Sequence, residues 1–267
     1  VNALEGVDGI VCDLDGVLYR GPQPIPGAAE TVDRLRNGGI PIVFVTNNAS
    51  ATVEERLARM SALGVHANPD ELITSAVVTA EHLVAEGWKG STAYMVGMDG
   101  LRRALQDAGI RLVDGRDGTL PDIVVVASDQ RFTYDDMSVA ATAVRGGAHF
   151  VAANDDATFP APDGLLPGAG AIVASIAVAS GRQPVVIGKP HPPMMEAAAR
   201  RLEGCKRIAV VGDQPATDLA GARTMGWATV LVLSGVTNAE DAAALDPQPD
   251  VVLPSIVELG DILLGEG

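Results

Sequence analysis

Apolar runs of strand length recur along the 267-residue chain, and several lead into stretches whose apolar positions repeat with helical spacing. GIVCDL at 9–14 precedes PIPGAAETVDRLRNGG, and PIVFVTNN at 41–48 precedes TVEERLARMSALG. PDIVVVASD at 121–129 leads into DDMSVAATAVRGG, and RIAVVGD at 207–213 into DLAGARTMG. ATVLVLSG at 228–235 and DVVLPS at 250–255 complete the pattern. Continuous Val/Ile runs alternating with helices predict parallel strands buried on both faces. The expected fold class is therefore α/β, a doubly wound, mainly parallel, Rossmann-like sheet. Gly38-Gly39, Gly64, Gly109 and Gly226 stand where helices of this pattern should end. The stretch from about Val78 to Arg182 carries a strand–helix pattern of its own. It is read as an inserted α/β domain, which leaves 1–77 and 183–267 as a discontinuous core.

Composition narrows the class. Aromatic residues are only 3% of the chain, so platforms for stacking bases are few. A net charge of −15 argues against nucleic acid or an anionic membrane as partner, since both require basic patches. A small anionic substrate stays compatible, because a bound cation reverses the local field. Cys12 and Cys205 lack metal-ligand spacing and read as buried free thiols, which suits a cytoplasmic location. The weakly polar stretch Ala169–Ser180 is too short to span a bilayer.

In open α/β sheets, ligands sit beyond the carboxyl ends of the strands, so the residues following each run carry the chemistry. After the first run come Asp13 and Asp15. In a continuing strand both would share a face, but Gly16 lets the backbone turn and Asp15 swing away. One carboxylate could then attack phosphorus while the other trades protons with the leaving oxygen and the incoming water. An Asx-turn closing a strand accounts for DLDG equally well. Thr46 and Asn47, at a strand-to-helix turn, offer an anion seat or a plain helix cap. Lys189, read at the end of the run PVVIG, offers a compact charge for phosphoryl oxygen or is a solvated turn residue. Asp213 and Asp218 could complete an oxygen-rich magnesium site with Asp13, or be acids favoured at a helix N-terminus. Four such strand ends in this order make coincidence a poor explanation.

DLDGVLY, VTNN, GKPHP and VGDQPATDLAGA together resemble the four motifs of the haloacid dehalogenase-like hydrolase superfamily. The match is to its branch of NagD, p-nitrophenyl phosphatase and phosphoglycolate phosphatase-like enzymes. The resemblance implies a HAD-like core with a C2-type cap. It also implies a Mg²⁺-dependent phosphatase that works through an aspartyl-phosphate. Carried over, Asp13 is the nucleophile, and Asp15 the acid/base whose backbone carbonyl also meets Mg²⁺. Thr46 and the Asn47 amide hold the phosphoryl group, and Lys189 balances its charge. Asp213 ligates the metal, with Asp218 behind it orienting Lys189 or the metal's water. In similar enzymes the cap covers the site, which makes Asp129, Arg131, Asn154, Asp156, Gly168 and Gly170 candidates for contacting substrate. His149 and His191 are assigned no catalytic role. The expected partner is a small phosphorylated metabolite, glycerol phosphate or phosphoglycolate before sugar phosphates and nucleoside monophosphates, and a homodimer through the cap is possible. Two other classes compete: a receiver-like phospho-acceptor module, which lacks the DxDG partner acid, and a metabolite binder that has lost catalysis.

Overall fold

The computed structural model describes residues 2–161 and 164–265. The chain folds into two compact units. The first comprises Val1–Thr46, Glu54–Ile73 and Lys189–Gly267, and the second Asn47–Val53 and Thr74–Gly188.

The first unit is built on a six-stranded sheet. Its spatial order is Val251–Leu253, Ala228–Val232, Ile208–Gly212, Gly9–Asp13, Ile42–Thr46, Leu72–Thr74. The Gly9–Asp13 strand pairs in parallel with Ile208–Gly212 on one side and Ile42–Thr46 on the other. All three are buried along their full length, as unbroken Val/Ile runs require when helices cover both faces. Chain order runs one way from the first strand and the other way from Ile208–Gly212, so the switch point lies between these two neighbours. Asp13 ends one of them and Asp213 immediately follows the other. Helix ends follow local chemistry. Ser255 and Glu258 form a reciprocal capping box at the last helix, Ile256–Leu264. Gly39 and Gly64, both at positive φ, close the helices Ala28–Asn37 and Val53–Ala62.

The second unit holds its own five-stranded parallel sheet, ordered Val185–Val186, His149–Ala152, Ile123–Val126, Thr92–Val96, Arg111–Leu112. Its helices include Tyr134–Arg145, capped by a Thr133/Asp136 box, and Ala169–Ser180. His149 stacks on Trp88 at 5.3 Å between ring centroids, a packing role. Pro162 and Asp163 of the insert lie outside the described residues.

One expectation is corrected. The run PVVIG does not end in the first unit's sheet. Val185–Val186 pairs with His149–Ala152 as an edge strand of the second sheet, with Val185 exposed. Lys189 is instead the first residue of the first unit's last segment, just ahead of the helix Pro192–Arg201. Cys12 is buried as expected, whereas Cys205 is only partly so. Among the described residues no helix is long and apolar enough to cross a membrane.

Candidate active site

Strand termination sets the first piece of the site. The strand stops at Asp13, and Gly16 adopts φ +87, with its N–H donating to the Tyr19 carbonyl at 2.7 Å. That left-handed turn is open to glycine at little cost. It also has no room for a side chain, since a Cβ on Gly16 would lie 2.2 Å from Asp213 Oδ2. The turn therefore brings the chain against Asp213, while Asp15 is left partly buried.

Asp13, Asp213 and Asp218 each place a carboxylate oxygen within 4.8 Å of the others. Lys189 Nζ joins two of them, donating to Asp13 Oδ1 at 2.5 Å and to Asp218 Oδ1 at 2.6 Å. The lysine is 4% exposed and Asp218 1%, so these are buried, charge-assisted bonds. Asp218 Oδ2 accepts from the Gln214 amide at 3.0 Å, which leaves both of its oxygens engaged. Asp213 is held by a different loop. Its Oδ2 accepts from the Val236 amide at 2.7 Å, and its carbonyl accepts from the Thr237 hydroxyl at 2.6 Å. Among the described residues, its Oδ1 is buried without a hydrogen-bond partner.

Three buried carboxylates thus face one ammonium. Burial draws Lys189 down, but Asp13 and Asp218 outweigh it and hold the ammonium well above its ordinary range. Burial pushes Asp13 well up; Lys189 opposes this, and the charges of Asp218 and Asp213 reinforce it. Burial, then the charge of Asp218, pushes Asp213 up to about 6. Asp15 is also raised by burial, against the pull of Arg56, Arg59 and Lys189. The cluster is short of positive charge, and a buried carboxylate oxygen aimed at nothing is costly. Hard oxygen donors, an excess of negative charge and the orphaned Asp213 Oδ1 fit a divalent cation.

Thr46 ends the strand beside Asp13 and is buried, and Asn47, also buried, opens the second unit. Inside that unit, Asn154 Nδ2 donates to the Asn47 carbonyl at 2.7 Å, and Asn47 Nδ2 donates to Asp156 Oδ1 at 3.0 Å. Gly168 and Gly170, at the start of the helix Ala169–Ser180, pack against the 155–156 backbone. A Cβ at either would meet the Asp156 or Asp155 carbonyl at 2.1 or 2.3 Å. Asp129 and Arg131 pair with each other after the Ile123–Val126 strand, Arg131 being exposed. His191 sits at the cap of Pro192–Arg201.

Sequence reasoning missed the loop 234–237. Besides holding Asp213, it returns the Ser234 hydroxyl to the Gly16 carbonyl at 2.7 Å, while Arg20 donates to the carbonyls of Ser234 and Gly235. The available signal was its position, since SGVT follows a buried strand neighbouring the one that ends in Gly212. Arg56 was missed as well: it is 4% exposed and acts on Asp15 from the helix Val53–Ala62.

Gly16→Ala should crowd Asp213 and its support while leaving Asp13 and Asp15 chemically unchanged. The added methyl has backbone of Gly235 2.9 Å away and the Asp213 carboxylate closer still. The expected outcome is a metal affinity lowered about 10–100-fold, read by calorimetric titration.

Residues 10–111 match the haloacid dehalogenase-like hydrolase family and residues 186–259 a HAD-hydrolase-like family. An acid sugar phosphatase of Staphylococcus haemolyticus is 38% identical over 247 residues, 92% of each chain. The solved p-nitrophenyl phosphatase of Archaeoglobus fulgidus superposes with a TM-score of 0.90 at 33% identity, covering 96% of this chain and 99% of that one. The glycerol phosphate phosphatase of Mycobacterium tuberculosis, solved in complex with magnesium, gives 0.85 at 36% identity over 94% of this chain and 75% of that one. The chain belongs to the haloacid dehalogenase-like hydrolases, in their NagD-like branch. It is a phosphoric monoester hydrolase, which decides against the receiver-like module and the inactive binder.

Proposed function

We propose that this protein is a Mg²⁺-dependent phosphatase that hydrolyses small organic phosphate monoesters through an aspartyl-phosphate on Asp13. The observation that carries the reading is the Lys189 bridge between Asp13 and Asp218, beside the unpartnered Asp213 Oδ1. Lys189 holds one Asp13 oxygen and so fixes how the other presents itself to phosphorus. The phosphoryl group moves onto Asp13 as its bond to the leaving oxygen breaks, and Asp15 supplies that oxygen's proton. Water then attacks the same phosphorus, Asp15 takes the water's proton, and phosphate leaves with Asp13 regenerated. Thr46 and the Asn47 amide hold the transferring group, with Lys189 offsetting its charge. Asp13, Asp213 and the Asp15 carbonyl are the residues that would hold Mg²⁺, which when bound neutralises phosphate charge. Asp218 keeps Lys189 in place.

Residues 1–77 and 183–267 are assigned to the catalytic core and 78–182 to an inserted cap that chooses among leaving groups, except that the strand Val185–Val186 belongs to the cap's sheet. Asp129 and Arg131 are our candidates there for contact with substrate. The substrate class proposed is a short polyol or acid phosphate, glycerol phosphate or phosphoglycolate, ahead of sugar phosphates and nucleoside monophosphates. The glycerol phosphate phosphatase likeness supports the first choice, and the low aromatic content speaks against a base clamp. We also propose a cytoplasmic location and a homodimer through the cap. The dimer is supported by the exposed Leu165 and Val178 of the second unit and is checked by light scattering. A Mg²⁺ assay across these four ester classes, ranked by kcat/KM, tests the function. Release from a polyol or acid phosphate above the rest is expected, and no release from any ester would defeat the proposal.

A further inference from the structure

The chain passes between its two units at four points, 46/47, 53/54, 73/74 and 188/189. Residues from three of these crossings gather around one backbone carbonyl inside the second unit. The Asn47 carbonyl accepts from Ser75 Oγ at 2.6 Å and from Asn154 Nδ2 at 2.7 Å, which occupies both of its lone pairs. The Asn47 side chain is tied separately, by Nδ2 to Asp156 Oδ1. The Asp156 amide in turn donates to Asn154 Oδ1 at 3.3 Å. Gly188, whose N–H donates to the Ala153 carbonyl at 2.9 Å, completes the cluster. A Cβ there would lie 2.6 Å from Asn47 Oδ1 and 2.9 Å from Asn154 Cβ.

This is more than one carbonyl needs. A turn following a strand ordinarily satisfies such a group with water or a neighbouring amide. Here two side chains from distant parts of the sequence are spent on it, Ser75 fully buried and Asn154 5% exposed. The outcome is an Asn47 anchored through its carbonyl and its side chain at once, directly after Thr46.

We propose that Asn154 and Ser75 are positioning residues for the phosphoryl-binding turn, fixing Asn47 so that its amide meets the transferring group without reorganisation. The inference rests on the role given above to Asn47. It reassigns Asn154 from touching substrate to holding the residue that does. Preorganised donors act because they need not move when charge arrives, and a loosened turn forfeits that advantage.

The test measures binding of inorganic phosphate in the presence of Mg²⁺ by calorimetry on the full chain, together with kcat and KM for p-nitrophenyl phosphate. Asn154→Ala and Ser75→Ala should each weaken phosphate binding about 5–10-fold and raise KM alongside, with the Mg²⁺ affinity unmoved. Ser75→Thr retains the hydroxyl and should restore wild-type binding. Should Asn154→Ala fail to fold, the isosteric Asn154→Asp, which turns an acceptor toward the carbonyl, should bind at least as weakly. Variants that fold and bind phosphate as the wild type does would overturn the inference while leaving the phosphatase reading intact. A wild-type protein that neither binds nor releases phosphate would overturn both.

Discussion

Asn in place of Asp13 is expected to lower kcat by about 10⁴-fold or more while the protein stays folded and at least as stable. The two halves of this result have different causes. An amide cannot displace the leaving oxygen from phosphorus, so the two-step route closes, and what is left is whatever the positioned charges do for direct attack by water. Stability moves the other way because Asp13 is one of three buried carboxylates sharing one ammonium, and burial with its acidic neighbours already resists its ionisation. Removing that charge relieves repulsion, and Lys189 keeps its bond to Asp218. Steady-state kinetics beside a thermal melt check both halves. A variant that is inactive only because it has unfolded would not meet the expectation.

Lys189→Met should be costly in both respects. The lysine is 4% exposed and is the cation bonded to Asp13 and Asp218, so its loss strands two buried carboxylates. Breaking a buried pair from one side costs ~3–5 kcal/mol, far more than a surface bridge. Activity should fall as well, because the charge that offsets the phosphoryl oxygens is gone. The double variant Lys189→Met/Asp218→Asn separates the two effects. It removes the stranded charge that only Lys189 required, so the melting temperature should recover much of its loss while kcat does not. Recovery of both would mean that Lys189 acts only as structure.

Much of the site could be read from the chain because strand ends leave a mark. GIVC and IAVVG are apolar throughout, and the acids that follow them have no place in a buried strand, so Asp13 and Asp213 declare themselves. Gly16 was legible for a related reason, as a turn residue where the backbone must reverse. Lys189 was found, though for an incomplete reason. An apolar run such as PVVIG does not say which of two parallel sheets it will join, and only pairing with His149–Ala152 settles that. The supports of Asp213 were harder still, because Val236 and Thr237 act through a backbone amide and a hydroxyl that any turn could supply. Asn154 presented the same difficulty. Its amide reaches a carbonyl 107 residues away, a distance over which local pattern carries no information.

The most direct measurement is acid-quenched rapid flow with a phosphoryl-labelled ester and Mg²⁺, followed by peptide mapping of the quenched protein. The expected result is a transient, hydroxylamine-labile phosphoryl group on the peptide containing Asp13, forming and decaying at rates that sustain turnover. Phosphate released at the full rate with no label on that peptide at any time would contradict Asp13 as the nucleophile.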